Sequence, residues 1–154
     1  MLYLSLKTIH IISATLLFGT GIGSAYYLLR AHLSRNPEAI TITVRHVVTA
    51  DWLFTATSGV VQLVTGLWMV WLAGWSLGQI WLWLSLGLFI LAGACWLPVV
   101  WLQIRMRDTA VDALATGSPL PALYHRYMRI WFILGWPAFM ALVLVFFLMV
   151  FKPH

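Results

Sequence analysis

The chain has 154 residues, 62% of them hydrophobic and only 8% charged, with a formal net charge of +5. A soluble domain carries about 25% charged residues, so this composition cannot coat a water-exposed globule. It reads as one membrane domain, with room for four spans of about 20 residues or more and little else. The basic balance does not point to nucleic acid, because the arginines flank apolar segments, where topology signals sit. The single cysteine, Cys95, lies mid-span and excludes an intramolecular disulfide.

Span 1 is expected over residues 3–29. It is too long for a signal-peptide core and lacks a small-residue cleavage site. His10, Ser13, Ala14, Leu17, Gly21 and Ser24 fall on one helical face. His10 lies about two turns inside the boundary, too deep for an imidazole to reach the surface. Such a histidine is a haem ligand, a proton relay or a hydrogen-bonded packing residue. The Gly19/Gly23 spacing predicts a close helix approach. A polar stretch, 30–43, follows, with Asn36-Pro37-Glu38 as a turn or helix start.

Span 2 is expected over 44–73. Asp51, Thr55, Ser58, Gln62 and Thr65 recur at three- and four-residue steps and form one stripe, which Met69 continues. The hydroxyls either line a cofactor or proton route or bond neighbouring helices. Asp51 is expected to need a basic partner, Arg45 or Arg129, because an isolated carboxylate in hydrocarbon is costly. The turn 74–78 carries no charge and makes spans 2 and 3 antiparallel neighbours. Trp68, Trp71, Trp75, Trp81 and Trp83 cluster beside it and read as an aromatic belt.

Span 3 is expected over 80–102, with a polar helical end through Arg107 and a bend at Pro98. A connection from Asp108 contains Gly117, Pro119 and Pro121. Span 4 is expected over 124–151, with a kink at Pro137. His46 and His125 lie at the arginine-bearing boundary, where they meet headgroups or loop backbone; His32 and His154 carry no ligand assignment. Both boundary histidines stand on the order of 20 Å from His10 along the helices, so neither shares an iron with it. At the depth of His10, Met69 is the candidate second ligand through its thioether. No nucleotide, phosphate or zinc motif is present.

All seven arginines flank the connections after spans 1 and 3, whereas Lys7 and Lys152 lie at the other end. The positive-inside rule places both arginine-rich connections in the cytoplasm and both termini outside. The expected fold is an all-α membrane protein, an antiparallel four-helix transmembrane bundle in the bilayer.

Three segments resemble HemJ-type protoporphyrinogen oxidases. They are the opening Lys7-Thr8-Ile9-His10-Ile11-Ile12, the Thr65-Gly66-Leu67-Trp68 segment, and the Pro137 run that closes in Phe151-Lys152-Pro153. The segment from Cys95 to Arg105 is similar to an uncharacterised bacterial integral-membrane family, a domain of unknown function. That family distantly resembles the HemJ and copper-resistance D membrane proteins. The resemblance implies a multi-pass protein of the bacterial inner membrane in which His10 binds haem b.

The combined expectation is a haem b protein with a redox or electron-transfer role, in its narrowest form a HemJ-like oxidase. His10 ligates iron, and Ser13, Gly21, Thr65 and Gly66 make room for the macrocycle, with Met69 as sixth ligand. Arg129, Arg45 or Lys7 pairs with the propionates. A quinone, a porphyrin or a redox protein would be the partner, and a homodimer could enclose the site. The alternative is a non-enzymatic accessory subunit or small transporter without haem.

Overall fold

The structure is a computed structural model that describes residues 1–76 and 78–153. Leu77, within the expected turn 74–78, and His154 lie outside the described residues. Five α-helices follow one another: α1 (Leu2–Ser34), α2 (Pro37–Ala50), α3 (Thr57–Leu72), α4 (Ile80–Ala115) and α5 (Ala122–Phe151). A π-helical segment, Asp51–Ala56, joins α2 to α3 without a break. No strand occurs among the described residues. The four resulting rods are each long and apolar enough to cross a membrane.

The helices run further than the apolar spans. The polar stretch 30–43 is helical on both sides of a two-residue break. Arg35 ends α1 in the left-handed region, with φ 55°, and its N–H returns to the His32 carbonyl. Asn36 then caps α2: its Oδ1 accepts from the N–H groups of Glu38 at 3.0 Å and Ala39 at 3.3 Å. Pro37 occupies the first helical position, where its missing N–H costs nothing.

Helix α4 continues to Ala115 because its apolar stripe continues; Met106, Ala110 and Ala113 are buried. Its 36 residues span about 54 Å at 1.5 Å per residue, against roughly 30 Å of hydrocarbon. The arginine-bearing end therefore projects beyond the apolar layer. Pro98 and Pro137 sit inside α4 and α5 without ending them.

The two ends of the bundle are packed differently. The main apolar core lies at the arginine-bearing end, where Leu28, Ile40, Val44, Met106, Tyr124 and Trp131 meet. Thr41 fastens α2 to α4 there, with its hydroxyl 2.8 Å from the Pro37 carbonyl and 3.2 Å from that of Ala110. Toward the termini, α1 packs on α3 and α4 packs on α5, while α1 reaches α5 through Phe18, whose ring stacks on Phe139 at 5.2 Å and meets Phe146 edge-on at 5.4 Å. Two helix pairs thus separate from a closed base. Most large apolar side chains on the outer faces, such as Trp71 and Leu97, are exposed, as lipid-facing residues are. The close approach expected at Gly19 and Gly23 does not occur: a Cβ at either position, or at Gly21, would meet nothing within 4 Å.

Candidate functional site

His10 is fixed by groups from its own helix pair. The Gln62 side-chain amide lies 2.8 Å from its Nε2, and Thr65 Oγ1 lies 2.9 Å from its Nδ1. An amide nitrogen only donates, so Nε2 accepts and Nδ1 carries the proton. Nδ1–H donates to Thr65, and the Thr65 hydroxyl passes its own proton to the Val61 carbonyl at 2.6 Å. Ser13 completes the chain by donating to Gln62 Oε1 at 2.5 Å, which turns the Gln62 amide toward the histidine. Gly66 gives the ring its space: a Cβ there would stand 3.1 Å from His10 Cε1.

The imidazole borders a cavity of about 540 Å³ between the two helix pairs, within the roughly 300–1,000 Å³ of small-molecule and cofactor pockets. The cavity follows α1 for more than four turns, from Tyr3 to Phe18, and its walls are mainly aliphatic and aromatic. Lys7 and Lys152 stand at its terminal end, and Met69 and Ser85 border it. Ser85 Oγ is buried and has no hydrogen-bond partner among the described residues. Lys152 Nζ lies 4.3 Å from the ring centre of Trp75 and 5.8 Å from that of Trp81.

The family described as "Predicted integral membrane protein (DUF2269)" matches residues 4–153. The chain belongs to this family. It is thus a multi-pass integral membrane protein, in agreement with its four apolar rods. No curated protein and no solved structure matches it.

In this DUF2269 chain the expected site residues divide into three groups. His10, Gly66 and Met69 border the cavity. Ser13 and Thr65 lie behind it, buried, and hold Gln62 and the imidazole. Gly21 is not part of the site: it is exposed, and eleven residues beyond His10 place it about 16 Å further along α1. The charged partners divide too. Lys7 borders the cavity, whereas Arg45 and Arg129 are exposed on the arginine-bearing half, too far away to meet a ligand beside His10.

Sequence reasoning passed over Gln62, Ser85, Trp75, Trp81 and Lys152 as site residues. Gln62 was legible in the polar stripe. Trp75 and Trp81 were hidden by the belt reading, which holds for Trp68, Trp71 and Trp83, all lipid-exposed. Trp81 is 4% exposed, and its indole N–H donates to Gln79 at 2.7 Å.

Asp51 is buried, as its stripe requires, but no basic group partners it. Thr55 donates to its Oδ1 at 2.8 Å, and the Gln103 side chain approaches the same carboxyl. The expected pairing with Arg45 or Arg129 is corrected: Arg107–Asp108, at 2.8 Å, is the ion pair among the described residues. The helical spacing explains the substitution. Residues four apart stay neighbours on one face through this segment, as they do in an α-helix, so the Thr55 hydroxyl reaches Asp51 from the next turn.

Two other histidines meet at the arginine-bearing end. His32 and His125 lie 5.7 Å apart between ring centres, and His32 also contacts Tyr124. Among the described residues, no group of three or more His, Cys, Asp or Glu side chains is arranged to hold a metal ion.

Proposed function

We propose that this chain is a membrane cofactor-binding protein whose cavity takes haem b, with His10 as iron ligand, in a redox or electron-transfer role. The observation that carries the reading is a cofactor-sized, largely apolar cavity with an imidazole on its wall and two lysines at its mouth. The surroundings of His10 fit an axial ligand in one important respect. A ligating histidine needs its second nitrogen held by an acceptor, and Nδ1 already meets Thr65. Ligation through Nε2 requires the Gln62 amide to withdraw, which a change of Gln62 side-chain rotamer would accomplish. Met69 borders the same cavity and is the candidate for a sixth ligand. The Lys7-x-x-His10-Ile11-Ile12 opening, with its HemJ-like form, supports the same assignment. Haem, when bound, would supply the one-electron chemistry; the chain's own part is to hold the macrocycle in apolar surroundings and neutralise its propionates with Lys7 and Lys152. The arginine distribution supports termini facing outward in a bacterial inner membrane.

A second reading rests on one observation: both nitrogens of His10 are already satisfied by protein groups. In that reading the histidine joins α1 to α3 and the cavity takes an apolar molecule without iron. Protein purified from haem-replete cells separates the two. A Soret band that is lost in His10→Ala supports haem ligation. A colourless, folded protein that also fails to take up added haemin excludes it.

A further inference from the structure

Resting on the reading of the cavity as a ligand site, we infer that its terminal mouth is a carboxylate clamp and that the ligand is a membrane-borne amphiphile bearing an acid group.

Charge complementarity carries the argument. Lys7 and Lys152 are the only lysines of the chain, they come from opposite ends of the sequence, and both border this one cavity. The four acidic residues are Glu38, Asp51, Asp108 and Asp112, none of them near the termini or the 74–79 turn. Neither lysine forms an ion pair among the described residues. Two cations at the rim of an apolar slot, without a counter-charge among the described residues, call for an anion with an apolar body.

The geometry around Lys152 fits this role. Lys152 itself ends α5 in the left-handed region, with φ 45°, and its ammonium rests on the faces of Trp75 and Trp81. A cation on an aromatic face keeps its other side free for an anion. Deeper in, Ser85 supplies an independent sign of a ligand. It is 97% buried, since its exposure is 3%, it borders the cavity, and its hydroxyl has no partner among the described residues. A native protein rarely leaves such a group unsatisfied, and a polar atom of the bound molecule would complete it. The cavity's long course beside α1 accommodates an extended or flat hydrocarbon body. Two sources share this chemistry: the propionates of a porphyrin and the carboxylate of a single-chain fatty acid.

The test is binding of cis-parinaric acid and of its methyl ester to the full-length protein in nanodiscs of zwitterionic lipid, read by probe fluorescence. The acid should bind more tightly than the ester. Each of Lys7→Gln and Lys152→Gln should weaken the acid by roughly five-fold, the worth of one surface cation near a headgroup, and leave the ester unchanged. Lys7→Arg and Lys152→Arg, which retain charge, should keep the preference. Haemin that displaces the acid identifies porphyrin propionates as a source; failure of haemin to displace it identifies the single-chain acid, and the clamp stands in both cases. Acid and ester binding alike would overturn the clamp and leave the cavity reading intact. Absence of binding by either probe and by haemin would overturn both.

Discussion

The side-chain amide of Gln62 stands 2.8 Å from Nε2 of His10, between the imidazole lone pair and anything that would use it. Ser13 locks that amide from the opposite side. Gln62 is thus a stopper on the one nitrogen able to face a metal, while Thr65 fixes the other. The relationship makes the two readings of the cavity separable by mutation.

Replacing Gln62 with leucine removes the stopper and retains bulk. If His10 is an axial ligand, Gln62→Leu should take up haemin at least as tightly as the wild type, and His10→Ala should lose the Soret band while far-UV circular dichroism stays unchanged. His46→Ala and His125→Ala should keep the pigment, because both side chains are exposed at the other end of the bundle. Bleaching in the last two, with colour retained in His10→Ala, would move the site to the arginine-bearing end.

Two glycines of the expected site should answer alanine in opposite ways. At Gly66 the added methyl meets His10 Cε1 at 3.1 Å, so the imidazole must shift against its two hydrogen bonds. Overpacking of this kind costs about 1–3 kcal/mol, and Gly66→Ala should lower the melting temperature in detergent. At Gly21 the methyl meets nothing, and a helical Gly→Ala exchange there should stabilise by roughly 0.5–1 kcal/mol. Equal effects at the two positions would contradict the contact between Gly66 and His10.

Asp51 should tolerate asparagine better than leucine. Asparagine keeps an oxygen for the Thr55 hydroxyl, which donates to Asp51 at 2.8 Å. Leucine leaves buried polar groups without a partner, a loss of about 1–3 kcal/mol. Arg45→Gln and Arg129→Gln should leave thermal stability within about 0.5 kcal/mol of the wild type, because neither arginine forms an ion pair among the described residues. A large loss in either arginine variant would restore the intramembrane ion pair.

Orientation is open to direct labelling. With Cys95 replaced by serine, a cysteine at Ser76 should react with an impermeant maleimide added outside intact cells. One at Ser118 should react only after permeabilisation, because the arginines flank the Ser118 connection. The reverse pattern would invert the topology.

The number of membrane helices, the Asn36-Pro37 helix start and the inward stripe from Asp51 to Thr65 were all readable in the sequence. Each rests on local rules: apolar length, capping chemistry and helical period. The importance of His10 was readable as well, because an imidazole so deep in an apolar run needs a partner wherever the helix packs. The sequence did not identify that partner. Gln62 and Thr65 share a stripe with Asp51, and only the packing of α1 on α3 decided which of them meets the histidine. The π turn was equally hidden, since a single wider turn leaves no mark on composition, and Thr55, one turn on, gives Asp51 a hydroxyl where charge reasoning asked for an arginine. Lys7 was readable as a propionate partner, but Lys152, 145 residues away, read only as a topology signal until the helix pairs brought both to one cavity. Local patterns determine which elements form and which faces turn inward. Which residues from distant elements share a site depends on where the pairs touch and where they separate, and that is settled by side-chain volume across interfaces that no single helix contains.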